Sequence, residues 1–308
     1  MNINKLKVAI YNSCAKDTCF PNVADEWNEN NPLFWHCTIV ALIVNDYYGG
    51  TIRKSYINGI SHYYNYIDNK IIDLTREQFL NEKVSYDDYI VMDRDEIISN
   101  KNTPNRYFLL KDRVSKYIEK LDIIDNEIFN CKKCIDMVEK FPNSNTIHYG
   151  SNNDIVILGE APANNGWRKS GIAWYDINNK LLASGVVLQK LLDITNVKLE
   201  ETTFIEAIKC YPKDRKYLKQ CGNNCRDFLF KQLNVLKPRV VLVLGDYATK
   251  TVLNEDYKSF KDVVGKYYKI NNMLIVPIYH PSPISPLSYK GNVPIFEKIK
   301  RLLEGENI

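Results

Sequence analysis

The 308-residue chain has no apolar run approaching the length of a membrane span, and its first residues, MNINKLKVAIYNSCAKD, lack the long apolar core and small-residue cleavage site of a signal peptide. The expectation is a cytoplasmic protein without a membrane partner. Neither sign of charge is in large excess. The 41 Lys and Arg against 37 Asp and Glu leave a formal net charge of +4, which permits a nucleic-acid partner without demanding one. Histidine is scarce, with four in the chain. Cysteine is not: there are eight, and in a reducing compartment they read as ligands, nucleophiles or core residues and not as a disulfide framework. With 45% hydrophobic residues the chain is long enough to bury two separate cores.

Two halves differ in patterning. The apolar CTIVALIVNDYYGG and the strand-like SHYYNYI and KIIDLT predict a smaller α+β domain over residues 1–122. The polar SNKNTPN (99–105) is a loop, and RYFLLKDRVSKYIEKL after it brings Phe108, Leu110, Val114, Tyr117, Ile118 and Leu121 near helical spacing, with the domain boundary placed just after this helix. From 123 to 308 the pattern becomes strand, turn, helix, repeated. The runs DIVILGE (154–160), TFIEAIKC (203–210), RVVLVLG (239–245) and LIVPIYHP (274–281) alternate with helical candidates such as ASGVVLQKLLDIT and CRDFLFKQLNVL. This predicts an α/β fold, a three-layer α/β/α sandwich around a four-stranded parallel sheet. Ligands of such sheets bind outside the carboxyl ends of the strands, where Glu160, the Cys210 loop and His280 fall. One run carries an anomaly: Glu206 interrupts TFIEAIKC, and a charged group is seldom buried without a partner.

GEAP closing the first run, HPS closing the last, and Cys131 and Cys134 of NCKKC with Cys210 and Cys225 together resemble the uracil-DNA glycosylase superfamily, nearest to its iron-sulfur branch (family 4 and 5 type), over residues 123–308. The resemblance implies an enzyme that hydrolyses the N-glycosidic bond of a flipped-out uracil or modified cytosine-type base in DNA and leaves an abasic site, in DNA repair or in phage defence. It implies that Cys131, Cys134, Cys210 and Cys225 hold a 4Fe–4S cluster of structural role; four thiolates also suit zinc, and Cys221 is a rival fourth ligand. Between these cysteines, CYPKDRKYLKQC offers Lys213, Arg215, Lys216 and Lys219 to DNA phosphates, against the plainer reading of a solvated basic loop.

Breaking this bond requires extruding the nucleotide, holding the base, stabilising its departing charge and delivering water to the sugar. By the resemblance, His280 hydrogen-bonds the base carbonyl oxygen as charge develops, and Glu160 orients water and faces the cationic sugar. The motif's usual glycine is Ala163 here and NNGWRKSG follows, so Asn164 or Asn165 are alternative holders of the water. Trp174 in SGIAWYD stands where the family's stacking aromatic lies. Ser282, Ile284 and Leu287 in PSPISPLS would form the wedge that enters the duplex, the alternative being a surface turn.

Glu206 stands four residues before Cys210, where the family carries an asparagine that pairs with the uracil edge. An ionised glutamate only accepts hydrogen bonds and would repel uracil O4, whereas cytosine offers its N4 amino group. A glutamate kept protonated by burial would match either base. An ion pair with Lys209 is the competing account.

The N-terminal half, over residues 10–115, resembles the bacterial YunG family, and its order of cysteine, histidine and aspartate is similar to the transglutaminase and papain-like core. Cys37 opens a helix, with His62 as base and Asp73 as its orienter; His36 is a weaker partner, and the plain alternative is a packed thiol in a binding module. Two further readings stay open for the whole chain: a cysteine hydrolase or transferase whose second half only holds nucleic acid, and an iron-sulfur DNA-binding protein without catalysis.

Overall fold

The computed structural model describes residues 2–79, 82, 84–140, 146–152 and 154–306. It divides into two compact units, Met1–Glu119 and Lys120–Ile308.

In the first unit, α1 (Ile3–Tyr11) and the largely apolar first two turns of α2 (Cys37–Tyr48) pack on an antiparallel sheet of order β3-β2-β1-β4, made of β1 (Thr51–Ile57), β2 (Ile60–Ile67), β3 (Lys70–Ile72) and β4 (Ile90–Met92). Two hairpins set its register. Asn58-Gly59 and Asp68-Asn69 all take positive φ, as two-residue turns matched to strand twist require, and they pair Ile57 with Ile60 and Ile67 with Lys70. α3 (Arg94–Ser99) and α4 (Pro104–Asn130) follow. The helix expected to end near Leu121 runs nine residues further, because Ile124 and Ile128 continue its apolar stripe and bury against Phe228. The division between the two units falls within α4.

The second unit carries a six-stranded sheet of order β11-β12-β10-β7-β8-β6. In chain order its elements are β5 (Val138–Glu139), β6 (Ile147–His148), β7 (Ile155–Gly159), α5 (Trp167–Ser170), α6 (Ala183–Leu192), β8 (Thr203–Glu206), β9 (Tyr211–Pro212), α7 (Leu218–Leu236), β10 (Val240–Leu244), α8 (Gly245–Leu253), β11 (Tyr268–Ile270), β12 (Met273–Ile278) and α9 (Val293–Leu303). The pairs β8/β7, β7/β10 and β10/β12 are parallel, whereas β6 and β11 join the edges antiparallel. The sheet is thus mixed and six-stranded where four parallel strands were expected. The two extra strands have only two and three residues, too short to register as apolar runs. α6 and α9 bury Leu188, Leu191, Phe296 and Ile299 in a core shared with Ile155, Ile157 and Leu242 of the sheet.

β8 also stops earlier than the run TFIEAIKC suggests. The N–H groups of Ala207 and Ile208 still reach the carbonyls of Gly159 and Glu160 (2.9 and 3.0 Å), but Ile208 leaves the pleat to pack against Leu218, Cys221 and Cys225. Glu206 is therefore the last strand residue.

Candidate active site

A cleft of about 780 Å³ opens at the carboxyl ends of the parallel strands. β7 delivers Gly159 and Glu160, β8 delivers Glu206, β10 ends at Leu244-Gly245, and the chain after β12 supplies His280 and Ser282. Parallel strands bring their ends to one edge, which is why residues so far apart in sequence meet here.

Glu206 is 7% exposed and lines this cleft. It stands opposite Gly159 in the β7/β8 register, and a Cβ added at Gly159 would lie 2.2 Å from its Oε2. Only glycine leaves room for the carboxyl group there. Oε2 has no hydrogen-bond partner among the described residues. Burial pushes the Glu206 pKa from 4.5 to about 8; Lys209 opposes the shift and Glu160 adds to it. The expected rival, an ion pair with Lys209, is not what forms. Lys209 Nζ donates to the Glu206 backbone carbonyl and to Gln232 Oε1 (2.6 Å). Gln232 Nε2 then donates to Thr146 Oγ1 (2.5 Å), and Thr146 Oγ1 to Asp125 Oδ1 (2.6 Å). This buried chain engages Lys209 and leaves the carboxyl group facing the cleft, where burial favours its neutral form.

Aromatic rings wall one side. Trp174 is half-buried, its backbone held at φ 71°, and its ring lies 4.8 Å from that of Phe204. Its indole Nε1 is buried without a partner among the described residues. A bulky residue at positive φ is strained, and such strain persists where the surroundings over-determine it. Phe204 and Trp167 also line the cleft and were not singled out from sequence. Phe204 was findable, since it precedes Glu206 by two on one strand and so shares its face. Asp246 and Tyr247, at the start of α8, join them.

His280 is exposed at the cleft rim, yet desolvation by the protein behind it lowers its pKa, which keeps the imidazole neutral at pH 7. Glu160 meets Arg215 at 3.2 Å, and Arg215 lies over the Tyr247 ring (5.4 Å). Asn165 lines the cleft; Asn164 is exposed and does not. The other lysines of the basic loop lie elsewhere: Lys213 Nζ donates to the Asp136 carbonyl (3.2 Å), Lys216 is 3.6 Å from Asp214, and Lys219 is 3.4 Å from Asp256. Ser282 lines the cleft, while Ile284 is 92% exposed and Leu287 is exposed at the same loop.

Cys131, Cys134, Cys210 and Cys225 border one small cavity together with Val138 and Ile208. Cys221 is buried and hydrogen-bonded to Cys134, outside the lining. Burial and the neighbouring thiols push Cys221 up to about 12; burial pushes Cys225 up to about 11 against a backbone hydrogen bond from Lys209. Asn224 Nδ2 donates to Cys134 Sγ at 3.2 Å. No three His, Cys, Asp or Glu side chains among the described residues converge as ligands of a single ion. Four thiols around a shared cavity nonetheless supply the donor type and number that an iron-sulfur cluster takes, with one sulfur already accepting an amide hydrogen bond of the kind that tunes such clusters.

In the first unit, Cys37 at the start of α2, His62 on β2 and Asp73 just after β3 are brought together, with His62 Nε2 donating to Asp73 Oδ2 at 2.6 Å. His36 is engaged otherwise, its ring nitrogens on the Phe34 carbonyl (2.8 Å) and Thr18 Oγ1 (2.9 Å).

A strand-end cleft lined by a glutamate, a histidine and clustered aromatic rings agrees with the sequence comparisons. The model of the Uracil DNA glycosylase superfamily matches residues 147–304, and the chain belongs to that superfamily; the model of the YunG protein family matches residues 2–119. The chain is 26% identical to the type-4 uracil-DNA glycosylase of Archaeoglobus fulgidus over 177 residues, covering 54% of this chain and 84% of that protein. It is 26% identical to the type-4 uracil-DNA glycosylase of Saccharolobus solfataricus over 205 residues, 62% of this chain and 90% of that protein. To the uncharacterized protein YunG of Bacillus subtilis it is 30% identical over 98 residues, 32% of this chain and 83% of that protein. No helix of the described residues is long and apolar enough to cross a membrane.

Proposed function

We propose that the second unit is a DNA glycosylase that removes uracil or a modified cytosine-type base and leaves an abasic site. The observation that carries this is the pair of buried polar atoms at the cleft, Glu206 Oε2 and Trp174 Nε1, without a hydrogen-bond partner among the described residues, which a base edge seated between them and His280 would satisfy. Phe204 and Trp174 offer the ring faces for stacking, a contribution of about 1–3 kcal/mol per base. As the glycosidic bond breaks, its electron pair leaves with the base, and neutral His280 donates to the carbonyl oxygen on which the charge collects. Glu160 or Asn165 orients the water that adds to the sugar. The Glu160–Arg215 pair is solvent-facing and weak, so Arg215 exchanges readily onto a phosphate.

Glu206 as a neutral acid explains how a glutamate serves where an amide is usual. Its carbonyl accepts from uracil N3–H while its hydroxyl donates to O4; turned around, it accepts from cytosine N4–H and donates to N3. Cys131, Cys134, Cys210 and Cys225 would hold a 4Fe–4S cluster in preference to zinc, and its chemistry here is structural, tying the loop that follows Glu206 to α7. Ile284, at the exposed tip of its loop, enters the duplex as the base leaves.

The test is incubation with oligonucleotides bearing uracil, cytosine and modified cytosines, followed by alkaline cleavage of abasic sites. Strand breaks at one or more of these bases are expected, and Glu206→Asn should raise uracil relative to cytosine-type excision. Intact strands throughout would overturn the reading.

A further inference from the structure

Base excision makes no use of the group assembled in the first unit. Cys37 is the first residue of α2, at the end where helix N–H groups lack intrahelical partners and the dipole favours negative charge. Asp73 is held from three directions: Tyr86 Oη donates to its Oδ2 (2.9 Å), and Thr75 donates through N (3.0 Å) and Oγ1 (3.2 Å) to its Oδ1. So fixed, it grips His62 Nε2; the Cys37 thiol, which donates to the Ser61 carbonyl at 3.9 Å, interacts with the same imidazole. That is the order of orienter, base and nucleophile that cysteine catalysis requires.

Burial alone would push the Cys37 thiol up, but the hydrogen bond and charge of His62 outweigh it and lower the pKa. For His62, burial pulls down while Asp73 and Cys37 raise the pKa to about 9. Arg106 adds a buried guanidinium whose Nη2 donates to the Trp35 carbonyl (3.0 Å), two residues before the thiol. His62 is thus placed to take the proton of the Cys37 thiol. Cys14, in the same core without a histidine, is pushed far up instead.

One further group sits in the site. Gln78 Oε1 accepts from the Trp35 N–H (3.1 Å), and Gln78 Nε2 lies 3.3 Å from His62 Nδ1. The edge of the Phe79 ring covers His62 at 4.8 Å, and Cys37 and His62 are 5% and 0% exposed. A carboxamide thus bridges a backbone N–H beside the nucleophile and the catalytic imidazole, where an incoming acyl group would place its carbonyl oxygen and its leaving atom. Trp35, which supplies that N–H, is held at φ 55°.

We propose that Cys37 is the nucleophile of an acyl-transfer site for carboxamide or ester substrates, and that Gln78 fills the substrate's acyl position in the closed site. The Cys37 thiolate attacks the acyl carbon and the S–C bond forms. As the C–N or C–O bond breaks, its electron pair leaves with nitrogen or oxygen, which takes the His62 proton. Water then adds to the thioester, gives its proton to His62, and releases the acid with the thiolate restored.

The full chain is treated with iodoacetamide, and separately with 4-nitrophenyl acetate, and the labelled cysteine is located by peptide mass mapping. Cys37 should be alkylated well ahead of Cys14, because His62 lowers the pKa of the first thiol while burial raises that of the second. His62→Gln should slow labelling about tenfold or more at neutral pH; Gln78→Ala should speed it. Nitrophenyl acetate should leave one acetyl group on Cys37, absent in Cys37→Ser, with circular dichroism reporting that each variant is folded. An unlabelled Cys37, labelling unchanged in folded His62→Gln, or acetylation elsewhere with Cys37 free would overturn the acyl-transfer site. Labelling no faster in folded Gln78→Ala would overturn the role given to Gln78.

Discussion

Uracil excision should fall as pH rises through about 8, the value to which burial pushes Glu206. Below it the carboxylic acid donates to uracil O4; above it the carboxylate can only repel that oxygen. One pH unit past the midpoint about a tenth of the sites remain protonated, so single-turnover rates on a uracil oligonucleotide should drop about tenfold per unit. The floor lies near a hundredth of the plateau, since a misdirected hydrogen bond to a charged group costs about 3 kcal/mol. A cytosine-type base keeps its amino bond to the carboxylate and loses only the bond at N3, so its loss should be smaller than that of uracil. Lys209 has been pushed down to about 8 and titrates in the same window, so the decisive comparison is Glu206→Gln, which keeps a donor and an acceptor but cannot ionise. His280, lowered by desolvation, titrates on the acid side and does not interfere. Folding stability gives a second reading. Unfolded, Glu206 loses its proton near 4.5; folded, near 8, so between these values the folded state binds the extra proton and stability falls with rising pH, by up to about 1.4 kcal/mol per unit. Glu206→Gln should flatten both curves. A uracil profile whose alkaline limb survives in Glu206→Gln would refute the assignment of Glu206 to the base.

Gly159→Ala places a methyl group 2.2 Å from Glu206 Oε2, so it should displace the carboxyl group, cost about 1–3 kcal/mol in thermal or denaturant unfolding, and lower excision more than Ala161→Gly does. Protein purified without oxygen should be brown and contain iron by elemental analysis; Cys225→Ala should bleach it and Cys221→Ser should not, since Cys225 borders the cavity and Cys221 does not. Colourless protein with stoichiometric zinc would contradict the cluster.

β7, β10 and β12 are readable from sequence as unbroken apolar runs because strands of a parallel sheet are buried on both faces. β6 and β11 are not, being short edge strands whose partly exposed residues carry no periodic signal. The run TFIEAIKC conceals a change of direction at Ala207, where apolar residues pass from the sheet to the cysteine cavity without any shift in composition. At the site, Glu160, Glu206 and His280 are legible because each stands at the end of a readable strand. Phe204 obeys the same alternation as Glu206 but looks like any core residue, and Asp246 and Tyr247 follow a strand that passes into its helix with no loop between. The charge state of Glu206 is beyond composition or spacing, because it depends on burial and on where Lys209 sends its hydrogen bonds.

Release of free base is the most direct measurement of the glycosylase assignment. Iron-loaded protein is mixed in excess with duplex and single-stranded oligonucleotides carrying uracil or a modified cytosine, and the small-molecule fraction is analysed by chromatography and mass spectrometry at intervals. The expected result is one free base for each abasic site formed, with His280→Ala slower by about 10²–10³ on every accepted substrate because it removes a donor to the leaving base. No free base from any of these substrates, or release unchanged in folded His280→Ala, would contradict it.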